Sequence, residues 1–360
     1  MAGAPTDRIP LHTILLPVLG VAAWLVIGKA GLEPLALLLV AVLIGNVIAS
    51  VHHAEVVALR VGEPYGTLIL ALAVTTIEAG LIIALMLGGD PNPALMRDSV
   101  HAAVMIVLHG LAGLSIVVAA AKDRQSEYRI EGASAFLAVL IPLAVLVLVV
   151  PNHLVSEPGP YYSPLQLTFV SVVCLALYVA FLLTQTRWHR DYFLPLVTAA
   201  GEEVHARPSS RLALASFGLM VVALFAVVVL AKALGPALQD GVAAVGAPVA
   251  IMGVIIAAIV LLPETAAAIR AAARNRLQSS INLSLGSGVA CIGLTVPAVA
   301  VVAWWIDQPL ELGISQGASV LMLLGFAVAI ITYGTGRASL LSGLVHLVLL
   351  ATWIFTIFAP

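Results

Sequence analysis

Apolar runs of about twenty residues recur along the whole chain, separated by short charged or Pro/Gly-rich breaks. Runs of that length cross a hydrocarbon layer about 30 Å thick. With 62% of the 360 residues hydrophobic, only 9% charged, and a mean hydropathy of +1.13, the chain cannot be a soluble domain. Lipid offers no hydrogen-bond partner, so each span must be helical or have its backbone buried by helices. The net charge of −2 says little, because most of the surface faces lipid, and no nucleic-acid partner is indicated. Cys174 and Cys291 lie far apart in apolar stretches and read as buried small residues, not as a disulfide.

The breaks define eleven expected spans, at 10–28, 33–60, 64–88, 98–121, 132–150, 163–186, 211–233, 241–269, 277–305, 313–334 and 338–359. The first, followed by Lys29 with no clear small-residue cleavage site, reads as a retained helix rather than a signal peptide. Turn-like links run from Gly31 to Pro34, Gly62 to Pro64 and Gly88 to Pro93. With the N-terminus inside, thirteen Lys and Arg fall on the cytoplasmic side and only Lys29, Arg97 and Lys232 on the other. That bias places the C-terminus outside. The longest polar link, 187–210, then separates a first five-helix repeat, 33–186, from a second, 211–360, after an N-terminal helix within 1–32. An odd number of spans per half implies opposite orientations, the inverted-repeat plan of many secondary transporters. Offsetting the chain by 186 residues lays Glu78 on Glu264.

Those two glutamates each stand alone in a long stretch free of other charge, PYGTLILALAVTTIEAGLIIALMLGG and GVAAVGAPVAIMGVIIAAIVLLPETAAAI. A carboxylate near the middle of a membrane helix costs about 2.5–3.5 kcal/mol on insertion scales, so each needs a functional reason or an interhelical ion pair. Thr75 lies one turn before Glu78 on the same face, with Thr76 beside it; their hydroxyls either support the carboxylate or bond their own helix. Pro263 precedes Glu264 and frees a carbonyl one turn earlier, which suits a hard cation; the alternative is a simple kink. In the ninth span Ser280, Ser284, Ser287 and Cys291 form a stripe, either a packing surface or a source of further oxygen ligands. His109 and His346 lie mid-span and either relay protons or bond a neighbouring helix, with His101 two turns before His109. His52, His53 and Glu55 read as guarding a cytoplasmic vestibule or as a solvated helix end, and Asn46 as helix-to-helix glue.

The chain resembles the ChaA-type branch of the calcium/cation:proton antiporters, within the calcium/cation antiporter superfamily. The resemblance spans nearly the full length and rests on ALRVGEPYGTLILALAVTTIEAGLI, LMRDSVHAAVMIVLHGLAGLS, LLPETAAAIRAAARNRLQSSINLSLGSGVACIGLTVP and TGRASLLSGLVHLVLLATWIFTIFAP. It implies eleven helices, two inverted repeats after one extra helix, and an acid in each signature repeat, here Glu78 and Glu264. Wider relatives place Gly-Asn before each acid, where this chain has Val74-Thr75 and Val260-Leu261, and a His where it has Thr265. Gly286-Ser287 keeps the second signature, while the first-half positions are Ala102-Ala103. The acidic segment that many relatives carry between the halves is reduced to Asp191, Glu202 and Glu203 among arginines.

The resulting expectation is exchange of protons for a cation at a site shared by Glu78 and Glu264, with Thr75, Thr76, Pro263, Ser284 and Ser287 around it and His109 as a proton relay. No cofactor is expected; Ca²⁺, Na⁺ or K⁺ is the transported ion, Ca²⁺ being favoured by two acids, with Na⁺/H⁺ or K⁺/H⁺ exchange as the alternative. The setting would be a bacterial inner membrane. From other classes, an intramembrane hydrolase would use Ser287 as nucleophile and His346 as base, and a passive channel would leave two titratable acids unexplained.

Overall fold

A computed structural model describes residues 9–28, 35–62, 65–87, 92–122, 125–194 and 207–359. Arg8, Lys29, the Gly31–Pro34 link, Pro64, Gly88 to Pro91, Arg124, Glu202 and Glu203 lie outside the described residues. The chain is an integral membrane protein built almost entirely of helix. Among the described residues nine helices are long and apolar enough to span, ten if one bent pair counts as a single span, and Leu11–Ile27 is a shorter apolar helix.

Contacts divide the chain into two compact units that each draw on both sequence halves. The first comprises Met1–Pro91 and Thr198–Ala244. It holds α1 (Leu11–Ala23), α2 (Ala36–Val61), α3 (Tyr65–Met86) and α8 (Ser210–Ala244), with α2 and α3 both packed on α8. Helix α2 stops at Gly62, whose φ of 78° is a conformation that costs glycine nothing. Helix α1 docks on α2 through a proline. Pro17 has no N–H, so the carbonyl of Thr13 loses its helical donor, and His53 Nε2 donates to it at 2.9 Å. His53 is therefore buried between helices while Glu55 is exposed, so neither the vestibule nor the solvated-end reading of the His52, His53 and Glu55 group describes it as a unit. Asn46 turns its Nδ2 to its own helix at Val42 O, 2.8 Å away, and packs against Gly20 of α1, where a Cβ has no room.

The second unit comprises Asn92–Val197 and Val245–Pro360. Its helices are α4 (Leu95–Met105), α5 (Ala112–Lys122), α6 (Ile130–Leu148), α7 (Pro164–Leu183), α9 (Ile251–Val260), α10 (Leu262–Ala273), α11 (Leu277–Ala290), α12 (Val296–Trp305), α13 (Gln316–Tyr333) and α14 (Leu340–Phe358). Helices α4 and α5 form one span through a π-type turn at Ile106–Leu111, and α11 and α12 another through a π-type turn at Cys291–Thr295. Serines start several helices. Ser163 and Gln166 form a reciprocal capping box before Pro164, and Ser339 and Ser342 form one on α14. A three-residue ladder, β1 (Gln125–Glu127) antiparallel to β2 (Arg337–Ser339), ties the α5–α6 link to the start of α14.

Two expected boundaries are corrected. Helix α8 runs to Ala244 instead of ending at 233, because Pro236 removes only one backbone bond while the flanking AKAL and ALQ favour helix. The eighth span, expected as one helix over 241–269, is broken at Leu261 into α9 and α10, which meet at 56°. Cys174 and Cys291 are buried free thiols.

Close packing of α9 on α4 rests on Gly253, where an added Cβ would lie 2.5 and 2.6 Å from the backbone of Asp98 and Ser99. Gly253→Ala is expected to lower stability by about 1–3 kcal/mol, the usual cost of overpacking. A thermal unfolding midpoint several degrees below wild type in detergent checks it, and an unchanged midpoint contradicts it.

Candidate functional site

Glu78 sits in the middle of α3, an uninterrupted helix, and only 3% of it is exposed. Its neighbours Ile77 and Ile82 are buried apolar side chains, so the carboxyl is withdrawn from water. Thr75 shares the buried face one turn earlier. Thr76 does not: it is exposed and donates its hydroxyl to Leu72 O at 2.7 Å, which corrects its expected place beside the acid.

Glu264 reaches burial by another route. It is 8% exposed and lies in the first turn of α10, directly after the break at Leu261. Pro263 has no N–H to give to the α9 carbonyl at Ile259, which helps to end α9, and its fixed φ suits the first helical turn. A carboxylate in that turn faces the positive end of the helix dipole. Thr265 donates its hydroxyl to Leu261 O at 2.6 Å and reinforces the bend. Ala268 and Ala272 are fully buried on α10, whose small faces let it lie close against α5 and α11.

The serine stripe on α11 serves packing and polarity together. Ser280 Oγ meets Ser115 Oγ of α5 at 2.7 Å, and Ser284 donates to Ser280 O at 2.9 Å. Ser287 is half-buried between Gly286, which packs on Phe136, and Gly288, which packs on Val107 and Leu140. Sequence alone does not single out Ser115, since an isolated serine in LHGLAGLSIVV carries no periodic signal. Nor does it join Arg97 to Asp98 and Glu311, where the guanidinium bonds both carboxylates, Asp98 at 2.8 Å.

The buried histidines bond to each other. His109, inside the π-type turn, places Nδ1 2.8 Å from Nδ1 of His346 on α14, and His346 Nε2 lies 3.2 Å from Thr332 Oγ1. The two ring nitrogens of His346 thus face His109 and Thr332. His101 packs edge-on against Trp353 of α14. Among the described residues no group of three His, Cys, Asp or Glu side chains is placed to hold a metal ion.

Comparison with known proteins agrees with this architecture. The profile of the sodium/calcium exchanger protein family matches residues 33–187 and 215–359. The chain is 42% identical over 357 residues to "Putative ionic transporter y4hA" of Sinorhizobium fredii, covering 98% of this chain and 95% of that one. It is 34% identical over 354 residues to "Sodium-potassium/proton antiporter ChaA" of Escherichia coli, covering 96% of each. Among solved structures, native YfkE superposes with a TM-score of 0.73 at 20% identity, covering 97% of this chain and all of that one. The H+/Ca2+ exchanger CAX gives 0.70 at 16% identity, covering 96% and 88%. The chain therefore belongs to the sodium/calcium exchanger protein family.

Proposed function

We propose that this protein is a cation:proton antiporter in which Glu78 and Glu264 are the groups that exchange protons for the cation. The observation that carries the reading is one buried carboxyl in each sequence half, the second held at the break of a membrane helix. Broken helices place helix termini and free carbonyls at membrane depth, as ion-coupled transporters require. The proton-loaded and cation-loaded states are both neutralised and can pass through the alternating-access transition; the empty, charged state cannot. That rule makes exchange obligatory and fits alternating access.

The same reading has eleven spans, counting the short first helix and the bent pair, with two inverted repeats at 33–186 and 211–360 joined by the 187–210 link. Two of the four π-type turns among the described residues support the repeat: those at Ile106 and Cys291 begin within one residue of the 186-residue offset that superposes the acids, while those at Trp24 and Thr184 have no such counterpart. In this reading the setting is a bacterial inner membrane, and the Lys and Arg distribution supports a cytoplasmic N-terminus and an outer C-terminus. Partners are the transported cations, protons and lipid.

Ca²⁺ takes about 6–8 oxygens at roughly 2.3–2.6 Å. The two carboxylates offer up to four, and Thr75, Ser287, carbonyls near Pro263 and water are the further candidates; Ser284 and Thr76 bond their own helices and rank behind them. Solved structures with this fold bear the names Ca2+/H+ antiporter and H+/Ca2+ exchanger. A monovalent reading is favoured by the name of the E. coli relative, a sodium-potassium/proton antiporter.

Everted vesicles energised to an acid interior test the reading. Addition of CaCl₂, NaCl or KCl is expected to collapse the pH gradient, with the most effective salt identifying the cation. No release above an empty-vesicle control with any salt, from about pH 6 to about 9, contradicts antiport. Glu78→Gln and Glu264→Gln are each expected to lower exchange by about tenfold or more, the scale of removing one charge-assisted interaction at a buried site. Pro263→Ala restores a backbone donor to Ile259 O and is expected to slow exchange while the protein still folds, measured in the same vesicles alongside its elution profile.

A further inference from the structure

His109 and His346 stand 237 residues apart in sequence, yet their rings lie 5.0 Å apart, tilted by 32°, with both side chains fully buried. Ionisable groups are costly at membrane depth, and an apolar pair would pack there without that cost. His109 also sits in a π-type turn, a helix irregularity that accompanies functional sites. On its other side His109 Nε2 is buried with no hydrogen-bond partner among the described residues and lies against Gly325, where no Cβ could be accommodated.

The contact between two Nδ1 atoms admits one hydrogen, so one ring donates and the other accepts. Suppose His346 Nδ1–H donates to His109; His346 Nε2 then accepts from the Thr332 hydroxyl. A proton added to His346 Nε2 turns that bond around, so that Nε2–H donates to Thr332 Oγ1 and the Nδ1 contact survives. A second proton would set two N–H groups head to head and break the contact. The couple therefore holds one extra proton and no more while it remains intact.

The surroundings decide what that charge would meet. The π-type turn packs against α4, α5, α10, α11, α13 and α14. Helix α13 contributes Tyr333, whose ring is 6.3 Å from that of His346; α4 carries Arg97, Asp98 and His101; α10 carries Glu264 and exposed Arg270; α5 ends at Lys122; α11 has no ionisable residue. Apart from the couple itself, Glu264 is the group on these helices that the antiport reading already loads and unloads with protons.

We propose that the His109–His346 couple is a second proton-binding site of this chain, distinct from the two glutamates, and that its single-proton occupancy sets the pH range of exchange. The second clause rests on the antiport reading; the first does not. Nitrogen-15 NMR of histidine-labelled protein in lipid nanodiscs tests the first directly. Wild type is expected to show an N–H···N coupling between two imidazoles and uptake of one proton by the pair, both absent in His109→Asn and in His346→Gln. Two rings that titrate independently, with no coupling between them, overturn the proposal; should the variants fail to fold, the wild-type coupling still decides it.

Vesicle exchange tests the second clause. The acid limb of the pH profile is expected to move by about half a pH unit or more in His109→Asn, while the apparent KM for the cation at the alkaline plateau changes less than about twofold. An unmoved profile, or an equal fall at every pH, contradicts it. Wild-type vesicles that exchange no cation would sink the antiport reading and leave the NMR result to judge the couple alone.

Discussion

A hydrocarbon layer gives a peptide group nothing to bond to, so each span must satisfy its own backbone before it can do anything else. That constraint makes the chain helical almost throughout, and it makes each departure from regular helix informative. Where Pro17 leaves the Thr13 carbonyl without a donor, His53 supplies one. Where Pro263 withholds an N–H, the eighth span breaks and Glu264 lands in the first turn of the new helix. In both cases a missing backbone hydrogen is what places an ionisable side chain.

The two acids are alike in burial and unlike in setting. Glu78 is held by an unbroken helix among apolar side chains, whereas Glu264 lies at a 56° bend, in the first turn of a small-faced helix. Two carboxyls at matching places in the sequence need not share surroundings. The asymmetry gives the second acid nearby helix termini that the first lacks, and directs attention to the α9–α10 break when ion preference is considered.

Much of this was legible in the sequence, and the reasons are physical. Apolar runs bounded by charge locate spans because the bilayer thickness fixes their length, and a lone glutamate stands out because its insertion cost is large. The serine stripe and the free cysteines were also visible as periodicity and spacing. Other features were not. Pro236 and Pro263 look equivalent as letters, yet one lies inside a continuous helix whose flanking residues favour helix and the other stands at the break of a span. Thr75 and Thr76 could not be ranked until the helix rotation was known. The His109–His346 pairing joins residues from opposite ends of the chain, a juxtaposition that no local pattern encodes.

The central claim is that cation and proton compete for the same two carboxyls. It is tested most directly by adding Ca²⁺, Na⁺ or K⁺ to purified protein in weakly buffered detergent and following proton release. The account predicts release on binding of the transported cation in wild type, and none in the Glu78→Gln, Glu264→Gln double variant. Saturable cation binding with no proton released would contradict it.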